Sequence, residues 1–254
     1  MGLYIYNSDE IKKIRDACVI TANILDEIGR LIDDGTALGD VDSQVRVLCR
    51  RYEAKPAFLG YNGFPAAICA SVNSEVIHGI PDRKKRLRAG DIVGIDFGVS
   101  FQGYYGDSAR TYPVGQIKPE AQALLDATRD SLYKGIEAAK EGNRISDISH
   151  AVESHVLKYG FSVVRDFVGH GIGRKLHEEP SIPNFGEPGR GPRIRNGMVF
   201  AIEPMINQGC PGVTVLEDGW TAVTDDGMLS AHFEHTVAII DGKAEILTAG
   251  KDFR

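Results

Sequence analysis

The tightest constraint on the fold is a self-similarity at one fixed separation. "GTALGDVDSQV", starting at Gly35, and "GNRISDISHAV", starting at Gly142, share Gly, Asp, Val and an apolar pattern 107 residues apart. The same offset returns farther along. "RLRAGDIVGID" (86–96) aligns with "RIRNGMVFAIE" (193–203), with both arginines, the glycine and an isoleucine identical and Asp96 matched by Glu203. One offset shared by two separate segments implies a duplicated unit. Two copies are too few for a solenoid. The expectation is an α+β chain folded as one catalytic domain over 1–254, its repeats spanning about 8–112 and about 118–240. Its two halves would pack around a pseudo-twofold axis, one curved and mostly antiparallel sheet facing helices. Each half would deliver a carboxylate to the axis from the same strand position.

The periodicity supports this layout. Ile11, Ile14, Cys18, Thr21, Leu25, Ile28 and Ile32 recur at helical spacing, and Gly35 is the expected stop. A second helix is expected from about Val41. Helical patterns then open at Pro119-Glu120, ending at Gly142, and again from about Ile148. "GDIVGIDFGVSFQGYYGDSART" (90–111) reads as a hairpin with its turn at Ser100-Phe101-Gln102-Gly103. A turn centred between Phe101 and Gln102 sets Asp96 directly opposite Asp107. Their Cβ atoms would be about 5 Å apart, a repulsion of roughly 3 kcal/mol at an effective dielectric of about 20. In the second half "AHFEHTVAII" (231–240) alternates like a strand and carries Glu234, the counterpart of Asp107.

Asp96, Asp107, Glu203 and Glu234 therefore converge within apolar strands, where an isolated buried charge costs several kcal/mol. Arg110 is the one basic neighbour on those strands. Two divalent ions supply four positive charges against four carboxylates, and paired metals about 3.5–4 Å apart are a recognised hydrolytic device. Oxygen-rich ligation with a little imidazole favours manganese, iron or cobalt, with zinc left open. The imidazole is expected from His170, between Gly169 and Gly171 in "DFVGHGIGRKLHEEP" (166–180). That stretch is no phosphate loop, because Arg174-Lys175-Leu176 follows Gly173, and H-E-x-x-H fails at Ser181. His78 in "HGIP" and His177 in "HEEP" form an H-x-x-P pair, one in each half, expected to face substrate as acids or donors to a carbonyl. His232 shares the parity of the metal face, His235 points away, and His150 and His155 are helical and structural.

Composition narrows the class. A net charge of −6, from 29 basic and 35 acidic residues, argues against DNA or RNA as the main ligand. The first residues have neither a basic n-region nor a long apolar run, and Tyr6 occupies the Ser/Thr position of a myristoylation signal, so no leader or lipid anchor is expected. No apolar run approaches the ~20 residues of a membrane span. Cys18, Cys49, Cys69 and Cys210 lack CxxC spacing and read as reduced thiols of a cytoplasmic protein.

The constellation resembles the type I methionine aminopeptidases of pita-bread fold. The resemblance runs through "GYNGFPAAICASVNSEVIHGIP", "GDIVGIDFG", "GYYGDSA", "VGHGIGRKLHEEP", "GMVFAIEP", "EDGWTAVTDDG" and "AHFEHT", in that order. It implies that Asp96 chelates one metal, that His170 and Glu203 hold the other, and that Asp107 and Glu234 bridge them. It implies an activated water attacking the first peptide bond, with Glu203 as proton shuttle, His177 stabilising the oxyanion and His78 at the scissile amide. Substrates would be N-terminal Met peptides and nascent chains with a small second residue. The methionine side chain would sit among Tyr61, Phe64, Cys69 and Trp220, because aromatic edges contact sulfur favourably. Phe58 stands where some members place cysteine and Asn62 where some place histidine, which bears on fine specificity. Asn73 and Ser230 match positions that help hold a monovalent cation.

Related alternatives differ in build. Aminopeptidase P and prolidase carry a large N-terminal domain, whereas here the first helix begins near Ser8. Type II enzymes carry a helical insertion for which residues 180–200 are too short. A non-catalytic RNA- or protein-binding paralogue would have lost ligands that this chain retains. Arg83-Lys84-Lys85-Arg86 gives that alternative slight support, its plainer reading being a solvated loop. A monomer with transient ribosome association is expected.

Overall fold

The computed structural model describes residues 2–250. Helix α1 (Ser8–Gly29) starts at a capping box: the Asn7 side chain accepts the Glu10 N–H at 3.0 Å, and the Glu10 carboxylate accepts the Asn7 N–H at 3.1 Å. It buries Ile11, Ile14, Cys18, Leu25 and Ile28. The helix stops at Gly29, short of the expected Gly35. Leu31 and Ile32 close tight turns instead, and the Gly35 N–H goes to the Leu87 carbonyl at 2.8 Å. Helix α2 is Leu38–Arg51. Helix α3 (Pro119–Ala138) likewise ends before Gly142, whose N–H bonds to Ile194 at 3.2 Å, and α4 (Ile145–Val156) follows. Both departures have one cause: each helix gives up its last turn so that the chain can bridge a segment entering the sheet. The bridges are Ala37↔Arg86 and Arg144↔Arg193, again 107 residues apart.

Every ladder among the described residues is antiparallel. The expected curved sheet is divided into a four-stranded and a five-stranded ladder, one from each half, with two three-stranded pieces beside them. In the first half, strand Ile92–Phe101 lies between Cys69–Val72 and Tyr104–Pro113. In the second, Val199–Ile202 lies between His235–Ile240 and Gly169–Gly171. Helices α1 and α2 cover the first ladder through Ile24, Leu25, Leu48, Ile95 and Phe97. Helices α3 and α4 cover the second through Leu124, Leu132, Ile148, Phe200 and Ile202. This is the pita-bread architecture.

The first hairpin corrects the expected register. Phe101 pairs with Tyr104 across Gln102 (φ 50°) and Gly103 (φ 82°), a two-residue turn whose positive φ angles match the twist of the strands. Asp107 therefore faces Gly98, and Asp96 faces Ala109. The two aspartates share a face on a diagonal, about 7–8 Å apart instead of about 5 Å. Gly98 makes the space: a Cβ there would lie 3.0 Å from the Asp107 Oδ1.

The strand expected over 231–240 is also interrupted. Ser230–His232 pairs with Met205–Asn207, His235–Ile240 pairs with Val199–Ile202, and Glu234 sits in the gap. Its backbone has crossed to the other half, with the N–H on the Ala109 carbonyl at 2.9 Å and the carbonyl accepting the Ser108 hydroxyl at 2.7 Å. Thr236 Oγ1 and Thr111 Oγ1 add further bonds across this seam, to the Asp107 and His232 carbonyls at 2.7 and 2.8 Å.

No helix among the described residues is long and apolar enough to cross a membrane. Helix α1 lies so close to the hairpin that a Cβ on Gly106 would meet the Cys18 nitrogen at 2.6 Å and its Cα at 2.7 Å. Backbone cannot yield as a flexible side chain does. Gly106→Ala is expected to destabilise the protein by about 1–3 kcal/mol in urea denaturation, by prising α1 from the sheet.

Candidate metal centre

A cavity of about 510 Å³ opens where the halves meet, lined by the expected ligands Asp96, Asp107, His170, Glu203 and Glu234. Asp96 and Asp107 project from the first hairpin. His170 comes from strand Gly169–Gly171, while Glu203 and Glu234 sit at strand interruptions. Ligand atoms of Asp107, His170 and Glu234 lie within 4.8 Å of one another. The His170 Nε2 is 3.4 Å from Glu203 Oε1. Asp96 joins them on the face it shares with Asp107. His78, His177, Phe58, Tyr61, Phe64, Cys69 and Trp220 form the walls. Asn62 is exposed, on the short turn after Gly60.

The electrostatics of this cluster are severe. Burial, reinforced by the neighbouring carboxylates, raises Asp107 and Glu234 well above the usual range. Burial pushes Asp96 up to about 7 and Glu203 to about 8. It depresses the histidines as well: His170 falls to about 3 and His78 to about 4, and His177 and His232 also fall. The site therefore disfavours carboxylate anions and imidazolium cations alike. Arg110 gives no relief, because its guanidinium turns to α1 and pairs with Asp26 at 2.5 Å.

These residues fit divalent ions. Asp96 Oδ1, Glu234 Oε1 and His232 Nε2 are buried without a hydrogen-bond partner among the described residues, an expensive state unless something else satisfies them. The Gly171 carbonyl lies 2.9 Å from His170 Nδ1; since a carbonyl only accepts, the ring proton is on Nδ1 and Nε2 offers a lone pair to the cavity. Four carboxylates and one neutral imidazole form a hard, oxygen-rich donor set.

His232 stands closer to this cluster than its sequence parity alone conveyed, with Nε2 3.6 Å from Glu203 Oε2. Phe167 was missed; its ring meets His78 edge-on at 5.5 Å, and its position three residues before His170 was the available signal. Tyr4 also lines the cavity, and nothing in its sequence context pointed there. Asn73 and Ser230 are joined directly, the Ser230 N–H bonding the Asn73 carbonyl at 2.9 Å.

Residues 12–241 match the model of Metallopeptidase family M24. A methionine aminopeptidase of Clostridium acetobutylicum is 47% identical over 97% of this chain and 98% of its own length. The crystal structure of methionine aminopeptidase from Thermotoga maritima superposes with a TM-score of 0.96 at 46% identity, covering 97% of this chain and 99% of that one. Prolidase from Pyrococcus furiosus gives 0.78 at 25% identity, and this chain spans 66% of it.

A carboxyl whose pKa is raised by folding binds its proton more tightly in the native state, so stability falls as pH rises. In chelator-treated protein the buried histidines, depressed from 6.5, act in the opposite sense below about pH 6.5. The carboxylate cost is therefore read alone from there upward, and the share of Glu203 is complete once pH passes about 8. The thermal midpoint of the chelated protein should therefore drop across that window, manganese should restore it, and Glu234→Gln should abolish the restoration. A flat profile in the chelated protein would contradict the buried cluster.

Proposed function

Because the chain belongs to metallopeptidase family M24, we propose that it removes the N-terminal methionine from polypeptides whose second residue is small. The observation that carries this reading is the joining of two features in one cavity: a buried cluster of four carboxylates with one imidazole, and an aromatic wall with a thiol beside it. The reaction belongs to the single catalytic domain. Two divalent ions held by Asp96, Asp107, His170, Glu203 and Glu234 supply Lewis acidity toward the peptide carbonyl and toward water. Manganese-, iron- or cobalt-type ions suit that donor set.

The remaining residues have separate tasks. Glu203, with a proton affinity raised by burial, carries a proton between water and the leaving amine. His177 donates to the scissile carbonyl oxygen. Its Nδ1 lies 2.7 Å from the Tyr61 hydroxyl; with that hydroxyl donating, the ring proton stays on Nε2, free for the substrate. Burial keeps the ring neutral. His78 contacts the scissile amide and is set by a backbone φ of 58° and by the edges of Phe167 and Trp220. Phe64 and Trp220 meet edge to face at 5.1 Å, and with Phe58, Tyr61 and Cys69 they enclose a linear thioether. Cys69 is paired with Asp96 in the ladder, which sets the side-chain pocket beside the metal ligands. Burial holds its thiol protonated and apolar.

The chain acts as a cytoplasmic monomer on nascent chains near the ribosome, and a monovalent cation at the Asn73–Ser230 junction braces the second half. Peptide assays in manganese or cobalt test the central reading. Met-Gly-Met should be cleaved, Leu-Gly and X-Pro peptides should be poor substrates, and EDTA should stop the reaction. Loss of the carbonyl donor in His177→Ala should lower kcat by about 10²–10³ with little change in KM. Efficient X-Pro cleavage would reassign the substrate class.

A further inference from the structure

Tyr6 lies on the extended arm before α1, far in sequence from the carboxylate cluster and from His177, yet it is buried in the protein. Its N–H bonds to the Gly197 carbonyl at 2.8 Å, which seats the arm against the second half. Its phenol reaches the Glu178 carboxylate, 2.8 and 2.7 Å from the two oxygens, and the hydroxyl oxygen accepts the Arg174 N–H at 3.1 Å. Burial and the adjacent carboxylate both raise the phenol's pKa, so the group remains a donor. The Glu178 carboxylate also accepts the Lys175 N–H at 2.9 Å, closing the 173–178 loop around the tyrosine. The ring occupies the space over Gly173: a Cβ there would lie 2.3 Å from the phenol carbon and oxygen. The glycine after "GHGI" thus leaves the room that this tyrosine fills. Arg174, on the same loop, reaches back to Glu10 of α1 at 2.6 Å.

That loop carries His177, the residue immediately before Glu178. We propose that Tyr6 is a positioning residue for His177: by holding Glu178 and Arg174 it fixes the loop so that the imidazole meets the substrate carbonyl at hydrogen-bond distance. This rests on the reading of His177 as the carbonyl donor. Tyr61 sets the ring's tautomer from within the cavity, and Tyr6 sets the backbone that carries the ring. Hydrogen bonds that locate a catalytic group add no contact with substrate, so their loss appears in the chemical step. Tyr4, whose ring stacks on Tyr6 at 6.2 Å and lines the cavity, makes the arm part of the active-site wall.

Tyr6→Phe keeps the ring in the Gly173 gap and removes only the hydroxyl. In the manganese-loaded enzyme with Met-Gly-Met it should lower kcat about tenfold with KM within about twofold. Added to His177→Ala it should cause no further loss, since it acts through the residue already removed. Hydrogen–deuterium exchange of the 173–178 segment should accelerate by about tenfold in Tyr6→Phe. Unchanged exchange in that segment, or an undiminished loss in the His177→Ala background, would overturn the positioning role while leaving His177 as donor. A fully active His177→Ala single variant would instead remove the donor reading, and the positioning role with it.

Discussion

The structure is organised around carboxylates that no single half could bury. Asp107 and Glu234 are almost sealed from solvent, and Asp96 and Glu203 stand beside them with proton affinities raised by burial. Ionised and unpartnered, such a group would cost several kcal/mol. The Arg110 guanidinium, on the same strand as Asp107, pairs with Asp26 of α1. In the proposed reading the cost is offset when the two halves meet and their acids enclose divalent cations. Folding, metal affinity and activity are therefore one linked equilibrium.

The seam between the halves is built to hold that arrangement. Glu234 lies where its strand leaves the ladder, and its backbone is satisfied by Ser108 and Ala109 of the opposite half. Glu203 stands at the equivalent break, before Pro204. At both places the backbone departs from regular pairing, and the departure points a carboxylate toward the axis. The seam thus ties ligand geometry to backbone hydrogen bonds, which are harder to displace than side-chain rotamers.

The chemistry beyond the metal ligands is held by a different set of contacts. His177 receives Tyr61 at one ring nitrogen, stacks edge-on against His170 at 4.3 Å, and rides on a loop folded around Tyr6. The side-chain pocket is carried by the same strands as the ligands, since Cys69 is the ladder partner of Asp96. In the proposed reading, substrate side chain and scissile bond are thereby registered by one sheet.

Much of this could be read from residue order. The duplicated unit, the four helices, the pairing of Asp96 with Glu203 and the need for cations all follow from repeats, periodicity and acids set in apolar strands, because these are properties of neighbouring residues. Asp96, Asp107, His170, Glu203 and Glu234, with His78 and His177, came to line the same cavity, while Asn62, Asn73 and Ser230 lie outside it. Distant partners decided the rest. The hairpin turned at Gln102-Gly103, moving Asp96 and Asp107 from facing to diagonal positions; the helices stopped early to bridge Arg86 and Arg193; the 231–240 strand broke at Glu234. His232 beside Glu203, Phe167 against His78, and Tyr6 within the His177 loop depend on contacts between segments far apart in the chain. Local pattern reports what a segment must bury. Which backbone group satisfies another across a hundred residues is settled only when the whole chain has closed.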